Sequence, residues 1–428
     1  MLAFVTVLLT PARSFRGRFS LAGDKSICHR AAILGAVAEG ETRIHNFSSA
    51  ADCASTLRCL EALGVSVRRE GATVVLRGRG FDGLHAPKAD LDAGNSGSTL
   101  RMLAGVLAGR PFQSVLTGDE SLRRRPVERV AEPLRRMGAR AASTDGRPPL
   151  RIEGGPLRGI SWEMPVASAQ VKTAILLAGL QAEGHTTIRE PARSRDHTER
   201  LLPAFGVPVA IDRTTVSVMG GTRLRPLELV VPGDVSSAAF LVVAALILPG
   251  SEVRIDNVLL NPGRVAFVDV LRAMRGDVSM ETTCSDPEPV GWIEARSSAL
   301  RAVDIPPTWV PALIDELPAL AVAGCFAEGR TTVAGAAELR LKESDRIGAI
   351  VEGLRAMGAR IEERPDGFAV EGGASLRGGA VRSRGDHRIA MALAVAALAA
   401  EGATEIEGGE CVGVSFPEFP GILREATS

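Results

Sequence analysis

Apolar residues run through this chain in six stretches that share one pattern. Each is rich in alanine and leucine, apolar on nearly every helical face, and ends in a glycine-containing turn followed by a short strand-like segment. The copies are AAILGAVAEGETRI (from Ala31), LRMLAGVLAGRPFQSV (from Leu100), TAILLAGLQAEGHTTI (from Thr173), AAFLVVAALILPGSEVRI (from Ala238), LPALAVAGCFAEGRTTV (from Leu317) and IAMALAVAALAAEGATEI (from Ile389). A helix that is apolar all round is buried all round. The turn glycines Gly40, Gly109, Gly184, Gly250, Gly329 and Gly402 stand 66 to 79 residues apart. That period is too long for a solenoid repeat and suits a small αβ unit. Most copies continue into a second, amphipathic helix and a strand pair. In the fifth, Ile347, Ile350, Val351, Leu354 and Met357 fall at helical spacing, and Gly358 marks the helix end. The sixth copy stops after about one helix, so strands near the N-terminus are expected to complete it. The opening MLAFVTVLL reads as a strand rather than a leader, since no basic stretch precedes it and Pro11 follows closely.

Each buried helix begins on polar residues: GDKS, GNSGST, ASAQVK, GDVSS, IDELP and GDHR. Packed side by side, three to a domain, such helices would turn their N-termini toward a common opening. Helix N-termini offer free N–H groups and the positive end of the dipole, which suits phosphates and carboxylates. A repeat scaffold that merely binds partners across its surface would not need polar residues concentrated there.

Composition sharpens this picture. With 428 residues, 45% hydrophobic and 23% charged, the chain can build two or three cores and is not disordered, collagenous or disulfide-rich. Fifty basic residues balance fifty acidic ones, so no global field draws it to nucleic acid or membranes. The longest apolar run, around Phe240 to Leu248, is too short to span a bilayer. The six cysteines have neither CxxC nor zinc-ligand spacing and fit free thiols in a reducing cytoplasm. Only Lys25, Lys88, Lys172 and Lys342 are lysines, against forty-six arginines. A lysine that survives such a bias points to a task that needs a compact ammonium.

Eight motifs then stand in one order: GDKSICHR, GNSGSTLR, GDESLRRRP, SAQVKTAILLAGL, SRDHTE, IDELPALAVA, RLKESDR and GDHRIAMA. From Gly23 to Phe419 the chain resembles the EPSP synthases among the enolpyruvyl transferases, and within them a divergent bacterial subgroup. The resemblance implies an α/β fold of two similar domains. Each would hold three βαβαββ units around buried parallel helices, an inside-out α/β barrel with six repeats in all. Residues 1–21 and 234–428 would form one domain and 22–233 the other, with the active site in the cleft between them. It implies transfer of the enolpyruvyl group of phosphoenolpyruvate to the 5-hydroxyl of shikimate 3-phosphate, by a cytoplasmic monomer with no cofactor, no metal and no nucleic-acid or membrane partner.

Residue by residue, the resemblance implies that Lys25 is catalytic and touches both substrates. Ser26, Arg30, Ser168, Gln170, Arg195, Asp315 and Lys342 match shikimate 3-phosphate contacts. Asn95, Gly97, Arg125, Gln170, Arg346 and Arg388 match phosphoenolpyruvate contacts. Asp315 matches the base that takes the hydroxyl proton, and Glu343 the acid that protonates the methylene carbon. Asp24 is the expected cap of the first buried helix. Lys172 either faces the site or closes a salt bridge, His197 reads as structural, and Arg123 and Arg124 as solvated. Val414 stands where many members carry a lysine, which leaves one cation fewer for phosphoenolpyruvate. The related transferase acting on UDP-N-acetylglucosamine would show a cysteine before its Arg-Pro and KN in place of KS, and neither is present. An RNA-end-modifying enzyme of related repeats sits poorly with the neutral net charge.

Overall fold

The computed structural model describes residues 6–373 and 375–427. The chain divides into two compact units, one running from Gly23 to Val231 and the other combining the described residues up to Ala22 with those from Pro232 onward. Residues 1–5, the first part of the expected opening strand, lie outside the described residues; Thr6–Leu9 is a strand.

The six apolar stretches are helices: α1 (Lys25–Val37), α2 (Gly97–Ala108), α3 (Ala169–Gly179), α4 (Val235–Ile247), α5 (Leu317–Cys325) and α6 (His387–Leu398). Burial follows the pattern. Every residue of α6 is buried, as is every residue of α4 from Val235 to Leu246. Cutting a side chain such as Leu241 to alanine there would cost about 2–5 kcal/mol, the transfer term plus the cavity. α4, α5 and α6 pack against one another. In the other unit α2 and α3 approach so closely that a Cβ on Gly105 would sit 2.0 Å from the Ala174 carbonyl oxygen. Only glycine permits that backbone-to-backbone contact.

Among the described residues, five four-stranded sheets around the helices follow one plan, beside a three-stranded sixth and a two-strand pair, Leu157–Arg158 with Ala182–Glu183. A short strand enters the helix, a parallel strand leaves it, an amphipathic helix follows, and an antiparallel hairpin finishes. Thus Asp304–Ile305 pairs parallel with Arg330–Val333, which pairs antiparallel with Gly367–Glu371, which pairs with Arg360–Arg364. The intervening helix Arg346–Ala356 buries Ile347, Ile350, Val351 and Leu354. Gly358 ends it at φ +90°, with the Gly358 and Ala359 amides returning to the carbonyls of Arg355 and Leu354. Of the six turn glycines, Gly109 alone is not left-handed, at φ −92°; it makes room for the Gln181 side chain, whose Oε1 would lie 2.4 Å from a Cβ there.

One expectation needs correction. Only Thr6–Leu9 completes the sixth sheet, pairing antiparallel with Thr404–Glu407. The next strand, Arg16–Ser20, pairs parallel with Glu252–Leu259 in the fourth sheet, although α1 follows it directly. Conversely Glu228–Val230, which precedes α4, pairs parallel with Glu39–His45 of the first sheet. The opening strands are exchanged at the two crossovers. The reason is covalent: the chain changes unit between strand and helix, so each strand stays with the unit it is leaving.

Candidate active site

In each unit the helix starts converge. In the Gly23–Val231 unit, Gln170 at the head of α3 donates from Nε2 to Ser98 Oγ of α2 at 2.8 Å. Arg30 of α1 donates to the Ala169 carbonyl of α3 at 3.3 Å. In the other unit, Ser236 of α4 donates to Glu316, the residue immediately before α5. Arg388 of α6 donates to the Asp315 carbonyl at 3.0 Å. Side-chain caps set most of these starts: Asp24 accepts from the Ile27 amide, Ser96 from Thr99, Ser168 from Val171, Asp234 from Ser236 and Ser237, and Asp386 from Arg388.

The Gly23–Val231 unit gathers cations. Lys25 Nζ lies 2.7 Å from Asp52 Oδ2, both side chains mostly buried. Half-buried Ser26 gives its carbonyl to Arg30 at 2.9 Å. Arg30 is buried and also held by Thr198 Oγ1 at 2.8 Å and Thr173 Oγ1 at 3.0 Å. Arg125, buried before Pro126, donates to Asn95 Oδ1 at 2.7 Å, to the Asn95 carbonyl at 3.2 Å and to Ser121 Oγ at 3.1 Å. Asn95 in turn donates to Asp119 at 2.7 Å. Gly97 lies beside two guanidiniums: a Cβ there would meet Arg101 Nη1 at 2.6 Å and Arg125 Nη1 at 3.6 Å. Arg123 and Arg124 are exposed and His197 is fully buried. Lys172 closes a salt bridge with Glu190 at 2.7 Å and another with Glu199 at 2.6 Å. Burial pushes the Glu199 carboxyl up, with Lys172 pulling the other way. Arg195 is half-buried in the segment between those two glutamates.

The other unit gathers carboxylates around one guanidinium. Arg346 Nη1 is 3.1 Å from Asp315, Nη2 is 2.5 Å from Glu343, and Nε is 2.8 Å from Asp386. Burial opposes the Arg346 charge, but Asp386, Glu343 and Asp315 outweigh it and raise its pKa further. Arg388 Nε reaches Asp315 at 3.5 Å. Burial pushes the neighbouring Lys342 ammonium down from its ordinary range, against the attraction of Asp315. Asp315 and Glu343, 28 positions apart in the chain, therefore share one fixed cation while keeping some exposure.

Three residues in these clusters escaped the sequence reading. Arg101 bridges Gln170 Oε1 at 2.7 Å and the Pro126 carbonyl at 3.1 Å. Its signal was a charge inside the otherwise apolar GSTLRMLAGVLA. Asp386 anchors Arg346 and Ser344 from within the quoted GDHR. Asp52 gave no signal, because ADCAST looks like any helix start. Among the described residues, no three His, Cys, Asp or Glu side chains gather in a way that could hold a metal ion. Nor is any described helix long and apolar enough to cross a membrane.

Comparison with solved structures defines the class. The chain superposes on the enolpyruvyl transferase NikO from Streptomyces tendae with a TM-score of 0.81 at 20% identity, covering 99% of this chain and 98% of that one. The fold is thus that of an enolpyruvyl transferase. An EPSP synthase from Acinetobacter baumannii matches with a TM-score of 0.88 at 42% identity, covering 99% and 98% of the two chains. The family profile described as EPSP synthase (3-phosphoshikimate 1-carboxyvinyltransferase) matches residues 9–423. A 3-phosphoshikimate 1-carboxyvinyltransferase from Halorhodospira halophila is 52% identical over 97% of this chain and 95% of its own length. One from Gloeobacter violaceus is 51% identical over 96% of each. The chain belongs to the EPSP synthase family.

Proposed function

We infer that this chain transfers the enolpyruvyl group of phosphoenolpyruvate to the 5-hydroxyl of shikimate 3-phosphate, releasing phosphate on the route to aromatic amino acids. The observation that carries the residue-level reading is the shared guanidinium of Arg346, which holds Asp315 and Glu343 as two carboxylates of one site. Addition of the hydroxyl across the phosphoenolpyruvate double bond needs a base at the oxygen and an acid at the methylene carbon. Asp315 takes the hydroxyl proton and Glu343 supplies the carbon-bound one. Loss of phosphate then restores the double bond once that methyl group returns a proton.

Both substrates are anions, so fixed donors must meet their charge. Lys25, Ser26, Arg30, Ser168, Gln170, Arg195, Asp315 and Lys342 bind shikimate 3-phosphate in this reading. Lys25, Asn95, Gly97, Arg125, Gln170, Arg346 and Arg388 bind phosphoenolpyruvate, whose carboxylate and phosphate suit bidentate arginine. Support comes from the helix starts at which these residues sit and from the close approach that Gly97 allows. The protein works as a cytoplasmic monomer with no metal or organic cofactor. The test is phosphate release with both substrates in EDTA, beside UDP-N-acetylglucosamine as the alternative acceptor. Release should require both substrates and survive EDTA; strict dependence on a divalent ion overturns the cofactor-free reading, and release with the nucleotide sugar overturns the acceptor.

A further inference from the structure

Of the two roles the sequence left open for Lys172, the structure gives it the salt bridge. Its side chain is 1% exposed, and those of Glu190 and Glu199 are 1% and 2% exposed. Three buried charges in contact are costly to desolvate, and apolar side chains of similar volume often serve stability as well or better. Stability alone therefore does not account for them. Nor does a generic need for a cation, since this chain uses arginine almost everywhere else. A single ammonium nitrogen meets both carboxylates, at 2.7 and 2.6 Å, where a broad guanidinium would need more room.

The placement of the three residues is informative. Lys172 is on α3, two residues after Gln170. Glu190 directly follows the strand His185–Arg189, and Glu199 lies in the first turn of the helix His197–Ala204. The ammonium thus ties together the two ends of the segment 191–196 and fixes both to α3. A second tie runs parallel to it through the adjacent residues, Thr173 Oγ1 to Thr198 Oγ1 at 2.6 Å. Inside the segment, Ser194 returns to the same carboxylate: its hydroxyl donates to Glu190 Oε1 and its amide to Glu190 Oε2 at 3.4 Å. The next residue is Arg195.

We propose that Lys172, Glu190 and Glu199 form a buried clamp that, through Ser194, positions Arg195 for the phosphate group of shikimate 3-phosphate. These are positioning residues and touch no substrate. The proposal rests on the assignment of Arg195 to that phosphate, so the experiment separates the two.

Calorimetric binding of shikimate 3-phosphate and of shikimate is compared for Ser194→Ala, Glu190→Gln, Arg195→Ala and the double variant Ser194→Ala/Arg195→Ala. Ser194→Ala removes one hydroxyl from a half-buried segment and serves as the test even if Glu190→Gln does not fold. A hydrogen bond to a charged group contributes enough that its loss weakens binding about tenfold. Each single variant should lose about that factor for shikimate 3-phosphate and nothing for shikimate. The KM for phosphoenolpyruvate should not move. The double variant should bind no more weakly than Arg195→Ala, because a loosened segment costs nothing once the guanidinium is gone. Multiplying losses in the double variant, equal losses for both ligands, or wild-type affinity in Ser194→Ala each overturn the clamp alone. Wild-type affinity in Arg195→Ala overturns the assignment of Arg195, and the clamp with it.

Discussion

The guanidinium clusters at the helix starts of the two units are held in opposite ways. Between Gly23 and Val231, Arg30, Arg101 and Arg125 are held by hydroxyl, amide and carbonyl oxygens of Thr198, Thr173, Gln170, Pro126, Asn95 and Ser121. Neutral acceptors orient a guanidinium without cancelling its charge. In the other unit Arg346 is held by Asp315, Glu343 and Asp386, and Arg388 by Asp315. There the same cations also fix carboxylates. Under the proposed assignment both units present cations to the anionic substrates, and the second also mounts the acid–base pair. What differs is the chemistry of a few side chains at the helix starts.

That contrast can be broken most directly at the carboxylates. Glu343→Gln and Asp315→Asn keep size but lose the proposed proton donor and the proposed base. Each should lower turnover by about a hundredfold or more, read as phosphate release, while Glu343→Gln binds shikimate 3-phosphate almost normally. Near-normal turnover in either would remove that residue from the chemistry. A smaller loss is expected at Lys25, a cation of the Gly23–Val231 unit paired with Asp52. Lys25→Arg keeps the charge but brings a wider group against Asp52, and kcat/KM should fall by about tenfold or more, whereas Lys88→Arg should change little. Equal behaviour of the two would deprive lysine rarity of meaning.

Gly97→Ala probes the Gly23–Val231 unit more gently. The new methyl group must displace the Arg101 guanidinium, itself tied to Gln170 and Pro126. The KM for phosphoenolpyruvate should rise by up to about tenfold, with binding of shikimate 3-phosphate unmoved; these steps correspond to about 1 kcal/mol. Weakened binding of both would mean that α2 and α3 had shifted as a whole.

The smallest effect concerns pH. Burial raises the Glu199 carboxyl above its ordinary 4.5. Between 4.5 and the raised value the native state holds more of this proton than the unfolded chain does. The stability this group gives is full below about 4.5 and is lost as pH rises through the raised value. Melting temperature measured upward from that pH should fall less steeply in Glu199→Gln than in the parent. Parallel curves would count against a raised Glu199.

Much of this was legible beforehand because it rests on local rules. Helices buried all round announce themselves by composition, and Asp24, Ser96, Asp234 and Asp386 occupy the positions that caps require. The motifs carried most of the site. What stayed hidden depends on distant partners. Leu91–Asp92 and Asp304–Ile305 are strands of two residues, too short for any periodicity. Arg16–Ser20 reads as a strand beside α1, but its pairing is decided by Glu252–Leu259, far along the chain. Asp52 has no local signature because its role is set by Lys25, and Arg101 shows locally only as a charge in an apolar helix, its partner Gln170 being brought near by tertiary packing.

The exchanged strands also bear on the order in which the protein can assemble during synthesis. Everything from Gly23 to Val231, including Glu228–Val230, emerges from the ribosome as one uninterrupted stretch and can complete its own three four-stranded sheets. Arg16–Ser20 emerges earlier yet has no partner until Glu252–Leu259 follows, and Thr6–Leu9 waits for Thr404–Glu407. At about 5–20 residues per second that is a delay of roughly 10 seconds or more. These two strands are made well before their partners, and in the interval each presents an unpaired edge.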